Sequence, residues 1–162
     1  MSVWFMLLCA VSVLAFAAIG GIFLAFSDFI MRAFNLVKNQ AGIESMQVLN
    51  VEILRSVFIV LFMGLAAVSV IIIAYAGFAM ENGTPRLMLM LAGGSYVVGV
   101  FAVTAIGNVP LNNRLAALQP ASAAALEFWN EVYMTRWVTL NSVRTAACFI
   151  ASGLVLSALI IL

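Results

Sequence analysis

Histidine is absent from this 162-residue sequence, and charged residues make up only 8% of it. The missing histidine removes the commonest protein ligand of zinc and haem iron, and the usual catalytic base near neutral pH. An ordinary soluble domain is about one quarter charged, so a chain that is 66% hydrophobic is not built for water. A net charge of +1 gives no long-range attraction for nucleic acid. The composition indicates a membrane protein and excludes a nucleic-acid-binding role.

Motifs for metal binding and redox chemistry are also missing. The only two cysteines, Cys9 and Cys148, lie in the first and last apolar stretches and form no C-x-x-C pair. Nine methionines supply a single M-x-M, at Met88 and Met90, which is a weak copper signal without histidine. We therefore expect two buried free thiols and no metal site.

Four long apolar stretches dominate the sequence. At about 1.5 Å per residue, a helix over 4–26 crosses a hydrocarbon core roughly 30 Å thick. Between the second and third stretches, Glu81–Pro85 predicts a turn. We expect interfacial helical segments between spans one and two, with a break at Gly42, and between spans three and four. The prediction is an all-α integral membrane four-helix bundle, a single membrane domain over 1–162 with spans at about 4–26, 53–80, 87–107 and 143–162.

Four crossings would place both termini on one face of the bilayer and two longer polar segments, 27–52 and 108–142, on the other. Most of the Lys and Arg residues lie on the face of the long segments, with Arg86 alone on the opposite face. The positive-inside rule then predicts that the long segments are cytoplasmic and that both termini face outward. We expect an integral protein of a bacterial inner membrane.

Polar side chains gather at the span ends on the face of the long segments. In a helix, Trp137 and Arg144 lie seven residues apart and Asn141 lies four after Trp137, so they share a stripe with Asn130. The other polar residues at these span ends are Gln47, Asn50, Glu52, Arg55, Asn108 and Asn112. Polar groups near membrane spans are costly unless paired. This cluster indicates either a pocket for a lipophilic small molecule with oxygen atoms or hydrogen bonds that hold the helices together.

Short motifs extend along nearly the whole chain. They are Gly20-Gly21-Ile22-Phe23, Phe26-Ser27-Asp28-Phe29, Met46-Gln47, Asn50, Asn108-x-Pro110-x-Asn112 and Trp137-x-x-x-Asn141-x-x-Arg144. The last two are the most specific when they occur together. In this combination the chain resembles the anthrone oxygenase-like family of small four-helix membrane proteins, long catalogued as a domain of unknown function.

The resemblance implies oxidation of an anthrone to an anthraquinone by molecular oxygen, with no metal, flavin or other cofactor. The catalytic residues would then be Arg144, Asn141, Asn112 and Glu52. The arginine and the two asparagines would stabilise a developing oxyanion, and Glu52, rather than Asp28, would remove the proton because it lies at a span edge. The substrate-binding residues would be Asn108, Trp137, Gln47 and Asn50, with the indole stacked on the aromatic rings.

Two other interpretations stay open beside this enzyme. A binding or transport protein for a hydrophobic compound would form a homo-oligomer through Gly93, Gly94 and Gly99 of span three. A structural accessory subunit would have amides that satisfy one another and leave no cavity. The enzyme requires an enclosed pocket lined by Asn108, Asn112, Trp137, Asn141 and Arg144.

Overall fold

Residues 2–162 fold into five helices. The structure is a computed structural model that describes residues 2–162, apart from the side chain of Asn39. The helices are α1 (Val3–Leu36), α2 (Asn39–Glu52), α3 (Val57–Ala79), α4 (Thr84–Ala116) and α5 (Ala123–Ile161), with a 3-10 turn at Ile53–Arg55 before α3. Helices α1, α3, α4 and α5 are long and apolar enough to cross a membrane. The predicted all-α fold with four membrane spans is confirmed.

The second span begins later than its sequence pattern predicts. Its apolar stretch starts at residue 53, but Ser56 is extended, with φ −101° and ψ 164°, and α3 begins only at Val57. The chain therefore does not run helically from α2 into α3. It turns at Ser56 instead.

The break predicted at Gly42 is wrong. Helix α1 ends at Leu36, extended backbone at Val37 follows, and Gly42 lies inside α2. A Cβ atom at Gly42 would fall on the carbonyl oxygen of Phe34. The glycine is needed because α2 folds back closely on α1, not because a helix ends there.

Helix α5 lies at the centre of the bundle. It packs against α1 and α4, while α3 packs on α4 and α1. Cys9 and Cys148 are buried free thiols in the apolar core of the spans, as expected. The outer surface is apolar as well, with Phe78 94% and Ile106 80% exposed. These are side chains that lipid would cover.

Every long helix except α3 contains at least one π-helical turn. The π turns are Phe26–Ile30 in α1, Val97–Ala102 and Thr104–Asn108 in α4, and Trp129–Tyr133 in α5. Pro110 does not end α4, because it is the second residue of the α-helical piece Val109–Ala116, which directly follows a π turn. A π turn advances the register of the side chains that follow it, and such turns are frequent at functional sites.

Two of the three span-three glycines that were predicted to mediate self-association serve contacts within this chain. A Cβ at Gly93 would come within 2.7 Å of the Ser69 carbonyl oxygen, and a Cβ at Gly99 within 2.6 Å of the Ala147 Cβ, whereas Gly94 has open space. Small residues at these points let α4 approach α3 and α5 closely. Self-association through this glycine face stays a prediction.

Gly99→Ala is therefore expected to destabilise the bundle. The added methyl would overlap Ala147 and force α4 away from α5, at a cost of about 1–3 kcal/mol in the free energy of unfolding. Thermal unfolding in detergent would measure this loss. Gly94→Ala is the matched control on the same helix, and we expect no loss from it. Equal losses in both variants would contradict the close approach at Gly99.

Candidate functional site

A cavity of about 430 Å³ lies between the helices at the end of the bundle opposite the termini. This volume falls in the range of about 300–1,000 Å³ that is typical of small-molecule sites. All five helices contribute to its walls. The walls are mostly apolar and rich in aromatic rings, namely Phe23, Phe26, Phe58, Phe62, Phe101 and Trp137. Its polar lining residues are Gln47, Asn50, Thr104, Asn112, Asn113, Asn141 and Arg144.

Arg144 is a buried cation in the wall of this cavity. Its side chain is only 6% exposed. Nη1 donates to Thr104 Oγ1 at 3.2 Å and Nη2 to Asn141 Oδ1 at 2.6 Å, while Nε has no partner among the described residues. The guanidinium carbon lies 4.2 Å from the centroid of the Phe23 ring and 5.4 Å from that of Trp137. Neutral oxygens and aromatic faces hold the cation, so its charge is not neutralised.

No carboxylate in the described part of the chain pairs with Arg144. The two ion pairs found there are Asp28–Arg32 at 3.9 Å and Glu52–Arg55 at 3.7 Å, both on exposed side chains. Burying a charge without a counter-charge costs several kcal/mol. A buried arginine that keeps this cost beside a cavity is suited to an anionic or strongly polarised ligand.

Asn141 orients Arg144. Its Nδ2 donates to the Phe23 carbonyl oxygen and to Ser27 Oγ, both at 2.6 Å, and its Oδ1 accepts from the guanidinium. The amide thus ties α5 to the start of the π turn in α1. Its oxygen is held towards the arginine and its nitrogen towards α1.

Asn112 is oriented by two donors from α5. Its Oδ1 accepts from the Tyr133 hydroxyl and from Trp137 Nε1, each at 2.8 Å. An indole N–H can only donate, so the atom beside it must be the amide oxygen. The NH2 group of Asn112 is therefore the end available to the cavity.

Gln47 and Asn50 also line the cavity, on adjacent turns of α2. Gln47 Nε2 donates to the carbonyl oxygens of Leu115 and Leu118, at 2.8 and 2.9 Å, and so satisfies backbone acceptors at the end of α4. Asn50 Nδ2 is buried without a partner in residues 2–162. Gln47 thus contributes to packing, and the Asn50 amide lies beside the Tyr133 hydroxyl in the cavity wall.

Asn108 lies behind the cavity wall and not in it. It is 1% exposed, and its Nδ2 donates to the Trp137 carbonyl oxygen at 3.3 Å. Asn108 therefore supports the backbone of Trp137, and the prediction that it lines the pocket is wrong.

Glu52 is also absent from the cavity lining, and so is Asp28. The Glu52 side chain is 62% exposed, in its pair with Arg55. Because Glu52 follows Asn50 by two residues in a helix, the two side chains point to opposite faces of α2. Within residues 2–162, no carboxylate lines the cavity.

The π turn in α5 changes which side chains share the stripe. Asn130, predicted to lie in line with Trp137 and Arg144, is exposed. Trp129 takes the inward position and stacks on Tyr133, with ring centroids 5.3 Å apart, and Tyr133 stacks on Trp137 at 6.0 Å. Sequence reasoning missed Tyr133, although its spacing of four residues from both tryptophans is a signal that could have found it. It also missed Phe23 and Thr104, which the sequence alone does not connect to Arg144.

These features define a small helical membrane protein with a cavity at one end of its bundle. The sequence model of the family described as anthrone oxygenase matches residues 55–154, more than half of the chain. The chain belongs to the anthrone oxygenase family, as its motifs predicted. No curated protein and no solved structure matches it. The matched region includes Asn112, Tyr133, Trp137, Asn141 and Arg144, whereas the walls from α1 and α2 precede it.

Proposed function

We propose that this protein is a membrane-embedded oxygenase that converts a planar, lipophilic anthrone-type substrate to a quinone with molecular oxygen. Family membership supports the oxygenase role. The observation that carries the proposal is Arg144, a buried guanidinium without a carboxylate, in the wall of a largely aromatic cavity. Such a site matches a flat apolar ring system that acquires negative charge on one oxygen.

The aromatic walls would hold the rings and the polar groups would hold the oxygen. Trp137 and Phe23 present ring faces beside the guanidinium, and aromatic pairs of this kind contribute about 0.5–1.5 kcal/mol beyond area burial. Arg144 and the NH2 group of Asn112 are donors suited to an oxyanion. Because Asn141 and Thr104 already fix the guanidinium, little reorganisation is needed when charge develops.

The reaction needs one proton removed from the methylene carbon opposite the carbonyl of the anthrone. The resulting anion is conjugated to the carbonyl, so its charge lies largely on oxygen, where Arg144 would stabilise it. Since no described carboxylate lines the cavity, we assign the proton to water. The site would act by favouring the anion rather than by supplying a carboxylate base.

Oxygen then completes a balanced conversion. The carbanionic carbon forms a bond to O2, and a proton from water gives a hydroperoxide. Loss of the second hydrogen of that carbon as a proton, with cleavage of the O–O bond, forms the new carbonyl and releases water. One anthrone and one O2 thus give one anthraquinone and one water.

The cavity lies on the face of the long segments, which the positive-inside rule assigns to the cytoplasm. We place substrate access on that side of the membrane, with the lipophilic substrate drawn from the bilayer.

Oxygen uptake by the purified protein in detergent, with 1,8-dihydroxyanthrone, tests the proposal. We expect quinone formation above the spontaneous rate of a protein-free control. Ala105 lines the cavity and is exposed, so Ala105→Phe should fill the cavity without disturbing the core and reduce kcat/KM at least about tenfold, or ~1.4 kcal/mol.

The matched control is Ile106→Phe, the next residue of α4. Its side chain is 80% exposed and lies outside the cavity lining, so wild-type rates are expected. Uptake equal to the protein-free control in the wild type would contradict the oxygenase. If the wild type still bound the anthraquinone, a carrier of hydrophobic compounds would replace it.

A further inference from the structure

We propose that Tyr133 is a positioning residue that, beside the Trp137 indole, holds the Asn112 amide with its NH2 end facing the ligand. The inference deepens the proposed function and rests on it for the class of ligand, a planar aromatic with an oxygen acceptor. Tyr133 would thereby help to keep a donor at this point of the site, which favours a ligand carbonyl or oxyanion and disfavours a hydrogen-bond donor.

Asn112, Tyr133 and Trp137 form a three-residue hydrogen-bonded network. Asn112 Oδ1 has two lone pairs, and the Tyr133 hydroxyl and the Trp137 indole each donate to it at 2.8 Å. A flipped amide would place NH2 against an indole N–H, which cannot accept a hydrogen bond. The indole thus excludes the flipped state, and the hydroxyl occupies the remaining lone pair.

Tyr133 acts on the cavity through the amides beside its hydroxyl, which are Asn112, to which it donates, and Asn50. It is fully buried and does not belong to the cavity lining, whereas Asn112 and Trp137 do. Its ring is held between Trp129 and Trp137, with interplanar angles of 12° and 18°. The π turn Trp129–Tyr133 creates this stack, so the backbone of α5 determines where the hydroxyl lies.

Loss of the Tyr133 hydroxyl would remove one of the two donors that hold Asn112. With phenylalanine at 133, Asn112 Oδ1 would keep only the indole bond, and its amide could rotate out of alignment. The NH2 donors would then meet the ligand oxygen in a smaller fraction of molecules. The network predicts weaker binding of acceptor ligands with little change in packing.

A double-mutant cycle with Tyr133→Phe and Asn112→Ala tests this coupling. The dissociation constant of 1,8-dihydroxyanthraquinone would be measured by quenching of tryptophan fluorescence, together with kcat/KM for 1,8-dihydroxyanthrone. We expect Tyr133→Phe to weaken binding about five- to tenfold in the wild-type background and less than twofold beside Asn112→Ala. Equal losses in both backgrounds would overturn the inference, because Tyr133 would then act through packing.

Tyr96→Phe is the matched control for the loss of a buried hydroxyl. Tyr96 is also fully buried, and its hydroxyl donates to the Phe62 carbonyl oxygen at 3.0 Å, away from Asn112. We expect this change to leave the dissociation constant at its wild-type value. A loss of affinity as large as that of Tyr133→Phe would count against a specific role for Tyr133.

A ligand-free measurement separates this inference from the proposed function. The chain has three tryptophans, and only Trp137 donates to Asn112, while the buried Trp129 Nε1 has no partner among the described residues. In indole 15N–1H spectra, the Trp137 signal should move in Asn112→Ala. It should also move in Tyr133→Phe, but not when Tyr133→Phe is added to Asn112→Ala.

The two failures then look different. If the wild type neither binds nor oxidises the probes but the Trp137 signal follows this pattern, the positioning role stands and the proposed function falls. If the signal does not respond to Asn112→Ala, the network is absent and the inference is overturned whatever the activity.

Discussion

Arg144→Met is expected to abolish catalysis while the protein stays folded and becomes more stable to heat. Among the described residues, the guanidinium is the one buried cation in the cavity wall, and it would carry the stabilisation of the oxyanion. Removing a single donor to an oxyanion typically lowers kcat by about 10²–10³-fold. We expect at least that loss in kcat/KM for the anthrone.

The stability gain has a separate physical cause. Arg144 has no counter-charge in the described residues and a buried Nε without a partner. Replacing a buried ion pair by apolar side chains of similar size is often neutral or stabilising by about 1–4 kcal/mol, and Arg144 lacks even the counter-charge of such a pair. Methionine has a similar length and would pack against the Phe23 and Trp137 rings. The lost bonds to Thr104 and Asn141 offset part of the gain.

Kinetics and thermal unfolding of the same preparation decide between function and structure. Arg55→Met is the control, because Arg55 is exposed and pairs only with Glu52. We expect it to leave activity and stability unchanged. A parallel loss of activity and stability in Arg144→Met would instead mean that the arginine holds the helices together.

The membrane fold was largely predictable because span length and hydropathy are local properties of the sequence. The turn at Ser56 and the true role of Gly42 were not predictable in this way. Both depend on how α2 folds back against α1, where Gly42 meets the Phe34 carbonyl group. A glycine in a polar segment is equally consistent with a helix break and with a close helix contact. Only the tertiary contact distinguishes these two roles.

Part of the site followed from helical spacing. Trp137, Asn141 and Arg144 do share one face of α5, and Asn112 meets them from α4. The prediction for Asn130 was wrong because Asn130 lies within the π turn Trp129–Tyr133, which alters the regular period. Sequence periodicity does not reveal such a turn. Placements that cross between helices, such as Phe23 beside Arg144, have no signal in one sequence.

The prediction that Glu52 lies in the site was wrong for a different reason. Its position at a span edge suggested burial, but the same periodicity that pairs Gln47 with Asn50 places Glu52 on the opposite face of α2. That prediction relied on Glu52 being a carboxylate at a span edge and did not consider which face of α2 it occupies. The structure leaves the cavity without a carboxylate in the described residues, so the polarity of its donors becomes the main chemical feature.

Asn112→Asp tests that polarity with almost no change of shape. The introduced carboxylate can still accept from Tyr133 and Trp137, but its second oxygen replaces the NH2 donors that face the cavity. A negative charge would then lie where we propose the substrate oxyanion is held, and it would compete for Arg144. We expect kcat/KM to fall at least about 100-fold, and further than in Asn112→Ala, which removes the donor without adding charge.

The order of the two variants matters more than either value. Asn130→Asp adds the same charge at an exposed position of α5 outside the cavity lining, and wild-type activity is expected from it. If Asn112→Asp proved more active than Asn112→Ala, a carboxylate base at this point would be helping proton removal. Stabilisation of the anion by donors would then not limit the reaction, contrary to the mechanism proposed. If Asn112→Asp is the less active of the two, the site needs a hydrogen-bond donor at position 112. Tyr133 and Trp137 are arranged to present that donor, because both bind the amide oxygen and leave the NH2 group facing the cavity.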